Sequence, residues 1–316
     1  MSDKKSSHAK ALASVLALAT LAACGLFPIN TPDPEPRPPA PDTTPAEPSA
    51  ESEALTRYYT RLQANLQAQD LLRVDGGGVD TPYSKSDIAK NFERIAFYDE
   101  FAVGQGLTPA TGKPGRLYKW VEPVQIAVEF GKHASEDQRD SDPEMIAAYA
   151  KRLTRITGHP ISVTDDDANF YVVVAGLDDK EETIARFREI APRIGQATIN
   201  IIQNLQRKHS CFVFTFPNET RDGSIEKSIA LIRAELPDLI RQACIHEEIA
   251  QGLGLRNDSA TARPSIFNDD EEFALLTSHD EALLRLLYHP SLNPGMSLNQ
   301  ARPLIKRILE GDPGQI

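Results

Sequence analysis

Apolar residues recur along this chain with two alternating periods, one helical and one extended, and the switches between them outline its elements. A helix is expected over Glu53–Arg73, capped by Ser52 or its acidic neighbours, with Gly76-Gly77-Gly78 breaking the pattern after it. Ile88, Phe92, Ile95, Ala96 and Tyr98 recur at helical spacing and predict a second helix over Ser86–Phe101 with a core-facing stripe. The period then shortens to two. Val124, Ile126, Val128 and Phe130 alternate within Val121–Phe130, the pattern of a half-buried strand. Asp142-Pro143 should start a helix through Ile156, with Ile146, Tyr149, Leu153 and Ile156 inward and Gly158 as its cap. Strands at Ile161–Thr164 and Phe170–Ala175 follow, with Asp165-Asp166-Asp167 between them read as a solvated hairpin turn. Those aspartates lack the spacing of a calcium loop.

Helices over Lys180–Ile190 and near Gln196–Gln206, strands at Cys211–Phe216 and Ile225–Ala234, and an amphipathic helix from Pro237 complete the pattern. Strand, helix, strands and a long helix imply an α+β fold. No repeat of solenoid period is evident.

With 316 residues, 41% hydrophobic and 25% charged, the chain can bury a substantial core. Beyond the N-terminus, no stretch approaches the ~20 uninterrupted apolar residues of a spanning helix. At the N-terminus Lys4, Lys5 and Lys10 precede an apolar run closing as Leu21-Ala22-Ala23-Cys24. This resembles the lipobox of exported lipoproteins: residues 1–23 form the signal peptide, and the Cys24 thiol accepts the lipid that anchors the chain in a membrane. In such lipoproteins an acidic residue after the cysteine marks inner-membrane retention. Gly25 follows here, which implies the outer membrane facing the periplasm, with the inner membrane as the alternative. Nine prolines between Pro28 and Pro48 make residues 24–52 a disordered tether to a single globular domain over 53–316.

Removing the leader takes away three lysines and one aspartate and moves the net charge from −11 to −13. An acidic chain without a basic stripe excludes nucleic acid as a partner. Once Cys24 is acylated, Cys211 and Cys244 are the remaining thiols. An oxidising periplasm favours a disulfide between them, and two buried free cysteines are the alternative.

The long helix carries the candidate chemistry, Glu247-Glu248-Ile249-Ala250-Gln251, followed by Gly252-Leu253-Gly254-Leu255-Arg256-Asn257-Asp258. It resembles the metzincin zinc-peptidase signature HExxHxxGLxH. Aligned on Gly254-Leu255, that signature's ligand positions fall at Glu247, Gln251 and Asn257, and its general base falls at Glu248. Residues four apart share a helix face, so Glu247 and Gln251 can converge with Glu248 beside them. Amides and carboxylates are poor substitutes for imidazole at zinc. His246 sits one residue, about 100°, off that direction and reads as an exposed or locally bonded histidine. Pro264-Ser265-Ile266-Phe267-Asn268 is similar to the turn beneath the metzincin zinc, with Phe267 in place of methionine. Leu276–Asp280 and Leu286-Leu287-Tyr288 resemble its C-terminal helix, so the likeness runs over about 121–288 and implies a zincin-like mixed sheet with added N-terminal helices. The acidic run Asp269–Glu272 is read as a solvated helix start rather than a site lining.

Lipobox, tether, helix motif and Ser-Ile-Phe-Asn-Asp-Asp-Glu-Glu-Phe together resemble the proteobacterial lipoproteins of the domain-of-unknown-function 2927 family. The resemblance implies no established activity. The expected role is non-catalytic binding or scaffolding by a degenerate peptidase-like domain without a cofactor, its partner an envelope protein or a peptide added along an edge strand such as Cys211–Phe216. One alternative is an atypical hydrolase, in which Glu247, Gln251 and Asn257 or Asp258 hold a divalent metal through oxygen and Glu248 activates water. Another is that Glu247, Glu248 and Gln251 merely secure the helix end.

Overall fold

Side-chain caps set where four of the eight described α-helices begin. The computed structural model describes residues 47–101, 105–110 and 112–311; the expected signal peptide, Cys24 and all but the last residues of the tether lie outside them. Helix α1 (Ala50–Gln67) starts where the Ser49 side chain accepts the Ser52 amide. Ser52 is therefore not the cap. It is buried and its hydroxyl donates to Glu235 at 3.0 Å. The helix stops short of Arg73 because Asp70 and Leu72 take positive φ. Helix α2 (Lys85–Phe97) opens on a reciprocal Ser84–Asp87 capping box.

Short β1 (Lys119–Trp120) and β2 (Val124–Phe130) lead into α3 (Glu136–Thr157), which begins six residues before Asp142. A Ser135–Gln138 capping box fixes that start, and Pro143 lies inside the helix at the cost of one missing N–H. Gly158 ends it in the left-handed conformation, as its position after Thr157 predicts. Strands β3 (Ile161–Val163) and β4 (Phe170–Ala175) both run parallel to β2 and flank it on opposite edges. The aspartates between them are exposed but form a crossing loop, not a hairpin turn. Sequence periodicity registers strands, not which strand each one pairs with.

Helices α4 (Lys180–Ile190) and α5 (Gln196–Gln203) precede β5 (Cys211–Pro217) and β6 (Ser224–Arg233). β6 pairs parallel with β1 and β4 and antiparallel with β5. Residues 228–232 of β6 bond to both β4 and β5, so those two strands occupy opposite edges, and β5 has no second strand partner among the described residues. The result is a mixed, mostly parallel sheet bordered by helices, an α+β arrangement.

Alternate residues of the central strands feed two cores. Val172, Val174, Ala230 and Ile232 join the larger, with α3 and the long helix α6 (Asp238–Gly252). Val173, Ala175, Ile229 and Leu231 join the smaller, with α4 and α5. Helices α7 (Ser278–Leu287), capped by a Thr277–Asp280 box, and α8 (Leu298–Gly311), which the sequence pattern did not single out, close the larger core.

Three features seat α6 on the sheet. A Cβ on Gly252 would lie 2.5 Å from the Phe170 ring, and the Gly252 carbonyl accepts the Trp120 indole N–H at 2.9 Å. Arg241 donates through Nε to both oxygens of Asp142, 3.0 and 3.1 Å away, a buried ion pair between α6 and α3. Cys244 is disulfide-bonded to Cys211 on β5, as favoured from the expected compartment. Closing 33 residues of chain stabilises by roughly 3–4 kcal/mol on the loop-entropy account.

Just past the helix, Gly254 has φ +125° and a Cβ there would lie 2.2 Å from the Tyr118 carbonyl oxygen. Gly254→Ala is expected to cost about 2–4 kcal/mol through strain and overlap. Urea unfolding measures it, with Gly195→Ala, whose Cβ meets nothing within 4 Å, changing stability by less than about 1 kcal/mol.

Candidate functional site

Helix α6 divides its side chains between two environments. His246 turns inward. It is buried, its ring stacks on Tyr149 with centroids 3.9 Å apart, and its Nδ1 accepts the Leu276 amide at 3.2 Å. Burial lowers its pKa to about 3, so it is a neutral structural histidine, locally bonded but not exposed.

Glu247, Glu248 and Gln251 turn the other way, into a cavity of about 820 Å³ between α6, β5, α5 and the loop around Glu100. Asp258 joins them at the floor, accepting the Gln251 side-chain N–H at 3.2 Å. Asn257 does not. Its side chain is buried and donates to the Arg94 carbonyl at 3.1 Å, so the site holds four of the five residues that the helix motif singles out. At this helix end the backbone turn through Gly254 puts consecutive residues on opposite sides, and Asp258 takes the inward place.

The acidic run also departs from expectation. Asp269–Glu272 is not a helix start. Glu272 binds Arg73 and Arg263, while Asp269 and Glu271 stand exposed on the cavity rim with Glu100. Glu100 had no motif or period to flag it. Phe267 is fully buried in a turn whose carbonyl accepts the Ser259 amide at 2.8 Å, immediately after Asp258. The buried Asp280 carboxylate holds that turn, accepting from Ser265 Oγ, the Ile266 and Thr277 amides and Thr277 Oγ1. Its signal was legible as Thr277-x-x-Asp280, a capping box.

Acidic groups outnumber basic ones around the cavity. Neither Glu247, Glu248, Asp258, Glu100, Asp269 nor Glu271 forms an ion pair among the described residues, and the buried Oε2 of Glu248 has no hydrogen-bond partner. Of the basic residues at the wall, Arg256 pairs with Asp99 at 2.7 Å and Arg193 pairs with Glu219, while Lys208 is exposed and has no ion pair among the described residues. Burial, reinforced by neighbouring carboxylates, pushes the Glu247 and Glu248 carboxyls well above the ordinary range. Burial, then Asp269, raises Asp258 to about 7 against the Gln251 hydrogen bond and Arg94; Glu100, more open to water, is raised in the same direction by the surrounding protein and by Asp258 and Asp269.

Oxygen donors in this number suit a cation, and the donor set is wrong for zinc. A carboxylate-rich floor favours hard ions or ammonium-type groups over a metal that prefers nitrogen and sulfur. Ligand atoms of Cys211, Glu247 and Glu248 lie within 4.8 Å of one another. The Cys211 sulfur is committed to the disulfide, so it supplies no thiolate.

β5 forms the long wall. The Arg233 amide donates to the Ser210 carbonyl, and antiparallel alternation then turns the main-chain groups of Phe212, Phe214 and Phe216 toward β6. Those of Cys211, Val213 and Thr215 face away from β6 and have no backbone partner among the described residues. All three residues line the cavity.

Residues 85–307 match the family model described as Protein of unknown function (DUF2927), well over half of the chain. No curated protein and no solved structure matches.

Carboxyls whose folded pKa is raised stabilise the fold below their ordinary pKa and lose that contribution as pH rises through the folded value. For Asp258 the loss therefore completes around pH 7 to 8. His159 and His209, both lowered by burial, no longer contribute above about pH 6.5. The melting temperature should fall between pH 6.5 and 8, and Asp258→Asn should flatten that slope while raising stability at pH 8. A slope identical in wild type and variant would contradict the assignment.

Proposed function

Because the chain belongs to the DUF2927 family, whose description assigns no activity, we propose from the site alone that it is a non-catalytic peptide-binding protein of the cell envelope. In this reading Cys24 carries the lipid anchor, most simply in the outer membrane, and the tether lets a zincin-like domain face the periplasm. An extended segment of an envelope protein adds to the free edge of β5, pairing with the main-chain groups of Cys211, Val213 and Thr215. The observation that carries the reading is that this edge, without a second strand partner among the described residues, forms the wall of the cavity of about 820 Å³ alongside the motif-bearing helix. Edges left open are normally blunted, twisted away or covered, and this one is backed instead by a disulfide that fixes it against α6.

The orphaned Glu248 oxygen favours one other reading, an atypical hydrolase with Glu248 as general base and a divalent ion on Glu247, Gln251 and Asp258. Asn257, bonded elsewhere, would take no part.

Selection of ten-residue peptides from a random library on the intact chain tests both. The peptide-binding reading expects bound peptides to lose affinity at least tenfold, about 1.4 kcal/mol, when Val213→Pro removes an outward N–H, and to be indifferent to EDTA. Peptides that bind Val213→Pro as well as wild type would contradict it. Cleavage of a selected peptide on adding manganese or calcium, lost in Glu248→Gln, would establish the hydrolase instead.

A further inference from the structure

We propose that the peptide seated on β5 presents a lysine or arginine side chain whose charged head enters the carboxylate floor formed by Glu247, Glu248 and Asp258. This rests on the edge-strand reading and specifies the class of segment the edge selects.

Charge and geometry both point to such a group. The floor holds three carboxyl groups without a cationic partner among the described residues, and exposed Glu100, Asp269 and Glu271 extend the same sign to the rim. Glu248 lines the cavity and is only 4% exposed, and its buried Oε2 has no hydrogen-bond partner among the described residues. An unpaired buried carboxyl costs stability, and a donor delivered from outside removes that cost. A burial-raised carboxyl beside an arriving cation also regains its charged form, so the ion pair strengthens where water is excluded.

The approach to the floor suits a long amphipathic side chain. Ile240, Ala243 and Val213 line the cavity, together with the Cys211–Cys244 disulfide, whose Cys211 sulfur lies within 4.8 Å of a carboxylate oxygen on each of Glu247 and Glu248. A methylene stem packs against those groups while its head reaches the oxygens. The outward main-chain groups of Cys211 and Val213 belong to the same stretch of wall, so a strand paired there carries its side chains past the floor. A bare divalent ion fits less well, because the Gln251 side chain directs an N–H at Asp258 and the nearest sulfur is not a ligand.

The test uses the intact chain and end-blocked ten-residue peptides of alternating valine and threonine, with one position at a time occupied by lysine, arginine, norleucine or glutamate. Lysine or arginine at one register is expected to bind at least tenfold more tightly than norleucine there. That advantage should fall below threefold in Glu248→Gln and in Asp258→Asn, with the norleucine peptide binding all three proteins equally and so reporting that the edge is intact. Norleucine binding as tightly as lysine at every register would overturn the inference and leave the edge reading standing. Loss of all peptide binding in wild type would overturn both. Calcium or manganese binding that requires Glu248, with no advantage for lysine or arginine, would assign the floor to a metal ion instead.

Discussion

The close seating of α6 on the sheet is the constraint from which the rest of the site follows. Gly252 has no side chain because the Phe170 ring occupies that space, and its carbonyl is tied to Trp120. The other end is fixed by the buried Arg241–Asp142 pair and by Gln63 of α1, whose side-chain oxygen accepts the Leu239 and Ile240 amides in place of a capping residue. With both ends held and the middle bonded to β5 through Cys244, rotation of the helix is denied. His246 must therefore face α3, and Glu247, Glu248 and Gln251 must face the cavity.

That orientation carries a thermodynamic cost in the form of several carboxyls crowded where water is scarce. Three other buried acids are satisfied: Asp280 accepts from four donors, Asp179 accepts from His133 and the Gly176 amide, and Asp142 has Arg241, while buried Glu235 accepts from Ser52 and the Leu177 amide through one oxygen alone. The contrast separates acids that build the fold from acids that the fold leaves unpaired. Natural chains concentrate such unmet demand at binding sites, where a ligand completes what the protein does not.

The sequence made the α+β layout legible because period-two and helical stripes are imposed by burial, and β4 and α4 fall where those stripes place them. Hydrophobic period misplaces the starts of α1 and α3, because Ser49 and Ser135 cap through local hydrogen bonds that leave no such period. The pattern around Asp165–Asp167 predicts a hairpin where a crossing loop stands, because pairing partners are a tertiary property. Within the site, i and i+4 spacing correctly brought Glu247 and Gln251 to one face with Glu248 beside them. Beyond Gly254 that rule lapses, so Asn257 and Asp258 could be told apart only by the turn itself, and Glu100 reaches the cavity from a distant loop.

The central claim is that the outward edge of β5 is a binding surface, and amide hydrogen exchange on the intact chain with and without a library-selected peptide tests it most directly. The Cys211, Val213 and Thr215 amides are expected to exchange freely alone and to become protected by at least tenfold when peptide is bound, while those of Phe212, Phe214 and Phe216 are protected in both states. A peptide that binds and leaves the three outward amides exchanging as before would contradict it.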